Sequence, residues 1–238
     1  MIPFFNIGSY TVYTYPLAMG VALGFLFEYL KLKNNEHRII PTKLISLFFI
    51  SMTLFSFLGA KIFFIITSKD SSLIELKSFW LGGGYVFYGG LVGGLVFLIF
   101  FSYILKIKFS RFEAFTPGFV VAHGVGRLGC VMAGCCFGKI CPLDIFERWP
   151  VQFIESVFLI TLGIFLSHKG KEGRINTFKM YLLFYSCFRF MIEFLRGDEL
   201  RGIWVYNLST SQLISFAIVF FLLCNYLYES FSTKSSDT

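Results

Sequence analysis

Apolar residues run through this chain in seven long stretches separated by short polar connections. The stretches are Tyr10–Leu32, Thr42–Thr67, Tyr85–Leu105, Phe112 to about Cys130, Val151–Ser167, Ile175–Leu195 and Thr210 to about Tyr228. A helix needs about 20 apolar residues to cross the hydrocarbon core of a bilayer. All seven approach that length, the fifth being the shortest. The pattern predicts an all-α integral membrane protein of about seven transmembrane helices. Residues 1–238 read as a single membrane domain ending in a polar tail, 230–238, expected to be irregular. No internal repeat, linker or second domain is visible. The third stretch opens on Gly82-Gly83-Gly84, and Pro117-Gly118 interrupts the fourth.

Composition narrows this further. Hydrophobic residues make up 56% of the chain and charged residues 15%. Soluble domains carry roughly 45–50% apolar and about 25% charged residues, so little of this chain is left for a soluble domain. The formal net charge of +7 would suggest nucleic acid in a soluble protein. Here the basic residues fall in connections, where they set orientation and meet anionic membrane lipid, and nucleic acid is not an expected partner. Lys31, Lys33, Arg38 and Lys43, then Lys106, Lys108 and Arg111, then Lys169, Lys171 and Arg174, then Lys234 mark one side. Lys69 and Lys77, Lys139 and Arg148, and Arg201 mark the sparser side. The richer side is cytoplasmic by the positive-inside rule, which puts the N-terminus outside and the C-terminus in the cytoplasm. Met1–Gly8 has no Lys or Arg, hence no basic leader. Lys61 lies near the outer end of the second stretch, where it is expected to snorkel. The many phenylalanines read as lipid-facing bulk.

Candidate chemistry gathers in two places. His123–Pro142 holds His123, Arg127, Cys130, Cys135, Cys136 and Cys141 among five glycines, Gly124, Gly126, Gly129, Gly134 and Gly138. An ionisable group at membrane depth is a functional-site hypothesis, and packing alone does not require a guanidinium. The sixth stretch places Tyr185, Arg189, Glu193 and Arg196 at spacings of four, four and three, along one helical face. Both groups fall toward the outer side. Arginine offers planar, bidentate donors suited to phosphate, so the two groups together look like a phospholipid headgroup site. The plainer reading is a salt-bridge network, Arg189 with Glu193, that holds the helices together.

At these residues the sequence resembles the bacterial prolipoprotein diacylglyceryl transferase family, over nearly the whole chain. The third-helix motif F-H-G-G-L-x-G is similar to Phe87-Tyr88-Gly89-Gly90-Leu91-Val92-Gly93. The signature G-R-x-G-N-F-x-N-G-E-x-x-G is similar to Gly126–Gly138. The P-x-Q-L-Y-E element is similar to Pro150–Glu155, and Y-G-x-x-R-F-x-x-E-F-x-R to Tyr185–Arg196. The resemblance implies transfer of a diacylglyceryl group from phosphatidylglycerol to the lipobox cysteine of a prolipoprotein signal-peptide region, with release of glycerol phosphate. It implies a site on the outer face of the bacterial cytoplasmic membrane. It assigns essential roles to Arg127, Arg189 and Tyr185, and headgroup contacts to Tyr15, Gly89, Gly90, Gly138, Glu193 and Arg196. The sequence departs from the family where Tyr88 stands for a histidine, Cys130 and Ala133 for asparagines, and Cys135 for a glutamate. The histidine proposed to take the thiol's proton is therefore missing, and His123, one turn before Arg127, is the candidate replacement. Tyr88 is a poor base, with an ordinary pKa of about 10.

Thioether formation needs a stabilised phosphate leaving group, which Arg127 and Arg189 are placed to supply. It also needs a thiolate and a lipid held in line. No metal or organic cofactor is implied. C-x4-C-C-x4-C is off the usual zinc spacing. The outer cysteines are open to a structural disulfide, to packing as free thiols, or to thiol chemistry beside Arg127. Cys187 and Cys224 read as core residues. Two other functions stay in view. One is a paralogous phospholipid-dependent transferase with a different acceptor; the other is a non-catalytic lipid-binding or thiol-redox membrane protein.

Overall fold

A computed structural model describes residues 3–68, 86–142, 147–171, 176–197 and 208–236. Among them are seven long helices: α1 Thr14–His37, α2 Ile45–Ser68, α3 Phe87–Leu105, α4 Thr116–Ala133, α5 Val151–Lys171, α6 Thr177–Ile192 and α7 Thr210–Ser236. Each falls within one expected apolar stretch or overlaps most of it. Five of them, α1, α2, α3, α5 and α7, are long and apolar enough to cross a membrane. The other two, α4 and α6, are the helices that carry Arg127 and Arg189. The glycine run Gly82–Gly84 and the loop cations Lys69, Lys77, Arg174 and Arg201 lie outside the described residues.

The ends of the elements differ from expectation for local reasons. Tyr10–Tyr13 is a β-strand, β2, paired antiparallel with β1, Phe4–Ile7. Gly8 at φ 61° makes the tight turn, and the Tyr-Thr-Val-Tyr sequence suits a strand better than a helix start. Thr14 is tied down by its backbone N–H and hydroxyl, both donating to Pro3 O at 3.1 Å. Pro117 does not interrupt the fourth helix but lies in its first turn, where the missing N–H has no intrahelical partner to lose. Phe109–Phe115 before it forms a 3-10 helix. The α7 backbone is helical through Ser236, into the polar tail.

The chain forms two compact units, Met1–Tyr29 with Ala114–Thr238, and Leu30–Glu113. In the second unit α2 and α3 cross at small residues. A Cβ on Gly93 would stand 2.3 Å from Phe55 O, and one on Gly59 would stand 2.4 Å from Gly89 O. Such close backbone approach is how membrane helices associate without a hydrophobic driving force. Gly93→Ala should therefore destabilise this unit by about 1–3 kcal/mol through overpacking, read as a lowered thermal midpoint. Phe48 is fully buried here, 4.9 Å from the Phe101 ring and 5.6–5.8 Å from Phe97 and Phe112. Not every phenylalanine is lipid-facing bulk. Lys61 corrects another expectation. It is 2% exposed rather than extended to the surface, next to Gly59 and Ala60, where α2 and α3 approach closely.

Tyr88, Gly89 and Gly90 belong to the same unit. Tyr88 is buried with its ring 5.7 Å from Phe87. Gly89 and Gly90 turn their bare Cα faces toward α2, at Gly59 O and Ser56 O. Helix packing accounts for both glycines, and the catalytic role expected for Tyr88 and the substrate roles expected for Gly89 and Gly90 are carried by sequence resemblance alone.

In the first unit α4 and α5 make the most extensive pairing, and α6 packs on both. Ser156 Oγ donates to Gly124 O at 2.7 Å, which locks α5 to α4 one turn above Arg127. This pairing sets the depth at which the α5 carboxylate meets the α4 guanidinium.

Candidate active site

The centre of the site is Glu155 of α5, 1% exposed. Its Oε1 lies 3.0 Å from Arg127 Nη2 and accepts a 2.8 Å hydrogen bond from Tyr185 OH; its Oε2 lies 4.0 Å from Arg189 Nη1. Three helices, α4, α5 and α6, meet at this one carboxylate. A second carboxylate continues the network. Glu193 Oε2 lies 2.8 Å from Arg189 Nη2 and 3.8 Å from Arg196 Nη1. Arg189 Nη2 also donates to Ser211 Oγ of α7 at 3.3 Å.

Among the described residues three guanidiniums thus face two carboxylates. Arg127 Nε and Arg189 Nη1 are buried and have no hydrogen-bond partner among the described residues. Buried donors without a partner are costly. A buried cation-rich cluster with spare guanidinium donors is a receptor for an oxyanion.

Glu155 was missed as a site residue in the sequence, where it appeared only inside the Pro150–Glu155 match. The signal was present. It is the one acidic residue of the stretch Val151–Ser167, and a lone carboxylate at membrane depth calls for a partner.

The sequence-predicted residues of this unit converge for the most part. Tyr185 and Arg189 lie on α6, Glu193 caps it and opens a 3-10 turn, and Arg196 is extended. The single helical face expected for all four therefore ends at Glu193, and Arg196 reaches the cluster from the following segment. Gly138 pairs with Arg196 in a β-bridge, and a Cβ on Gly138 would stand 2.4 Å from Trp149 O. Its place is to seat the Arg196 backbone. The His123 ring packs 5.1 Å from Tyr185 and 6.5 Å from Phe119, with Nδ1 3.4 Å from Tyr181 OH. It shares the interior with Tyr185 but is held among aromatic rings. Tyr15 lies against α4: a Cβ on Gly129 would sit 3.3 Å from its Cδ2. Arg127 and the sulfurs of Cys130, Cys135 and Cys136 are within electrostatic reach of its hydroxyl.

All six cysteines are free thiols. Cys130, Cys135 and Cys136 nevertheless gather, with their Sγ atoms within 4.8 Å of one another. Gly134 at φ 72° ends α4, its N–H bonding Cys130 O at 3.0 Å, and turns the chain back over the helix end. Cys135 N follows to the same oxygen at 3.3 Å, and Gln152 Nε2 donates to Cys135 O at 2.6 Å. Hydrogen bonds from Cys130 and Cys135 hold the Cys136 thiol below the usual thiol range; burial opposes them, and Arg196 and Arg127 assist. Cys141 is buried outside this group.

Fold and site define a multi-pass helical membrane protein with a buried arginine–glutamate cluster between three helices. Comparison with known proteins gives the family. The family model for prolipoprotein diacylglyceryl transferase matches residues 3–228. A Clostridium perfringens protein named phosphatidylglycerol–prolipoprotein diacylglyceryl transferase 2 is 37% identical over 68% of this chain and 70% of its own length. A Clostridium tetani transferase is 35% identical over 66% of this chain and 70% of its own, and a Streptococcus uberis transferase 28% identical over 90% and 89%. The chain belongs to the prolipoprotein diacylglyceryl transferase family.

Proposed function

We propose that this protein transfers a diacylglyceryl group from phosphatidylglycerol to the lipobox cysteine of prolipoproteins, in the cytoplasmic membrane of a bacterium. The observation that carries the reading is the Arg127–Glu155–Arg189 arrangement with its spare buried donors. Phosphatidylglycerol is a phosphodiester of charge −1, whose phosphate oxygens can accept from Arg127 Nε and Arg189 Nη1. As the glyceryl C–O bond breaks, a second negative charge develops on the departing glycerol phosphate, and fixed guanidiniums stabilise it more strongly than the bound lipid. Arg127 and Arg189 bind the phosphate, and Tyr185 and Glu155 orient Arg127. Glu193 orients Arg189 and Arg196.

The reading includes seven spans, an outer N-terminus and a cytoplasmic C-terminus, in keeping with the distribution of basic loops. The site then opens to the outer face, where a secreted acceptor presents its cysteine. The whole chain acts as one membrane domain. Thiol activation is the step these residues leave unassigned, since Tyr88 replaces the family histidine and His123 is packed among aromatic rings.

Complementation tests the reading. Expressed in a bacterium depleted of its own diacylglyceryl transferase, the protein should restore lipoprotein mobility and membrane retention. An inserted, folded protein that fails to rescue would shift the assignment to a transferase with another acceptor.

A further inference from the structure

We propose that Cys130, Cys135 and Cys136 form a trithiolate site for a thiophilic d10 cation of the zinc class, whose open fourth position takes the acceptor's cysteine as a thiolate. The role rests on the transferase reading above; the site itself rests on geometry. Three sulfurs lie mutually within 4.8 Å. Tetrahedral zinc with sulfur at about 2.3 Å sets its thiolates roughly 3.8 Å apart, so rotamer adjustment closes the gap. A disulfide would use two of the three sulfurs and leave the third without a purpose.

The backbone is built for this convergence. Adjacent residues ordinarily point apart, yet Cys135 and Cys136 both direct sulfur at Cys130. Cys136 does so at φ 60°, a left-handed conformation that a non-glycine residue holds only when its surroundings impose it. Gln152 pins Cys135 O, three residues before Glu155 on the same helix, so the cluster and the cationic site share α5. Three protein ligands with an open position is the pattern of catalytic rather than structural zinc. Among the described residues Cys141 does not join the group.

The chemistry balances without an oxidant. On coordination the acceptor S–H gives its proton to water, and its sulfur binds as thiolate. That sulfur attacks the glyceryl carbon. The S–C bond forms as the C–O bond breaks, and the electron pair leaves with the phosphate oxygen. The uncharged thioether is a weak ligand and departs. The metal keeps its oxidation state, and the base that the sequence lacks is not needed.

The test uses the full-length protein, reduced and reconstituted in nanodiscs, titrated with Co2+ as a spectroscopic probe. Sulfur-to-cobalt charge-transfer absorbance should saturate at about one equivalent per chain and be bleached by Zn2+. The variant Cys130→Ser/Cys135→Ser/Cys136→Ser should lose the band, while Cys187→Ser/Cys224→Ser retains it. A peptide carrying the acceptor cysteine should shift the band, and its Cys→Ser form should not. Chelator-treated protein should transfer at least tenfold more slowly and recover with Zn2+. A folded protein without the band, a band indifferent to the peptide, or full-rate transfer by metal-free protein would each overturn the proposal. The last result would leave the transferase reading intact. A normal, peptide-sensitive band without transfer under any condition would uphold the metal site and overturn the transferase reading instead.

Discussion

Arg127→Ala and Arg189→Ala should each lower kcat/KM for diacylglyceryl transfer by about a thousandfold, the scale on which a lost transition-state donor is felt. Each guanidinium is divided between two tasks. Arg127 gives Nη2 to Glu155 and keeps Nε; Arg189 gives Nη2 to Glu193 and Ser211 and keeps Nη1. Removing either takes one guanidinium from the cluster together with one of its two spare buried donors among the described residues. Phosphate binding and leaving-group stabilisation then fail together, so KM should rise as kcat falls. Lysine at either position should recover no more than about tenfold. A single ammonium restores charge, but it does not hold a carboxylate and a phosphate oxygen in one fixed plane. The measurement is transfer from phosphatidylglycerol in mixed micelles, with the thermal midpoint of each variant as a check on folding. Variants within tenfold of wild type would mean that the arginines are structural and the phosphate lies elsewhere.

What could be read from the sequence follows the strength of each physical signal. A run of about 20 apolar residues has one stable solution in lipid, and all seven expected stretches hold a helix. Arg127, Arg189 and Tyr185 were legible because polar groups at membrane depth are costly and therefore have partners. Element ends were less so. The β-hairpin at the N-terminus was hidden inside an apolar run, because Tyr10–Tyr13 is as apolar as the helix it precedes. Pro117 was read as a break because composition does not tell a helix interior from its first turn. Lys61 was expected at the surface, and its burial is a matter of tertiary packing that the local sequence does not display. Glu155 was legible in principle, but a single carboxylate does not announce which of several arginines it joins. The outer cysteines stood out as candidates for a disulfide or thiol chemistry, but which of them meet was not legible. The spacing C-x4-C-C-x4-C matches no familiar site, and the convergence of three sulfurs depends on Gly134 ending the helix and on the left-handed backbone of Cys136.

The largest effect on stability is expected at Glu155. Glu155→Ala removes the only carboxylate that pairs with Arg127 among the described residues, and with it the acceptor of the 2.8 Å hydrogen bond from Tyr185 OH. Breaking a buried ion pair from one side typically costs about 3–5 kcal/mol, because the remaining charge is left uncompensated. The thermal midpoint of the purified protein should fall accordingly, further than for Tyr185→Phe, which loses one hydrogen bond worth about 1.5–3 kcal/mol when its partner is charged. Glu155→Gln separates charge from shape. The amide oxygen still accepts from Tyr185, so the protein should fold with an intermediate midpoint. The cluster's net charge rises by one, so KM for phosphatidylglycerol should hold or fall. Turnover should nevertheless drop by about a hundredfold, because a guanidinium displaced by about 1 Å no longer meets the leaving oxygen in line. Reduced kcat with unraised KM would identify Glu155 as the residue that aims Arg127. A parallel rise in KM would instead mean that its charge is needed to build the lipid site, and an unchanged midpoint in Glu155→Ala would remove it from the centre of the network.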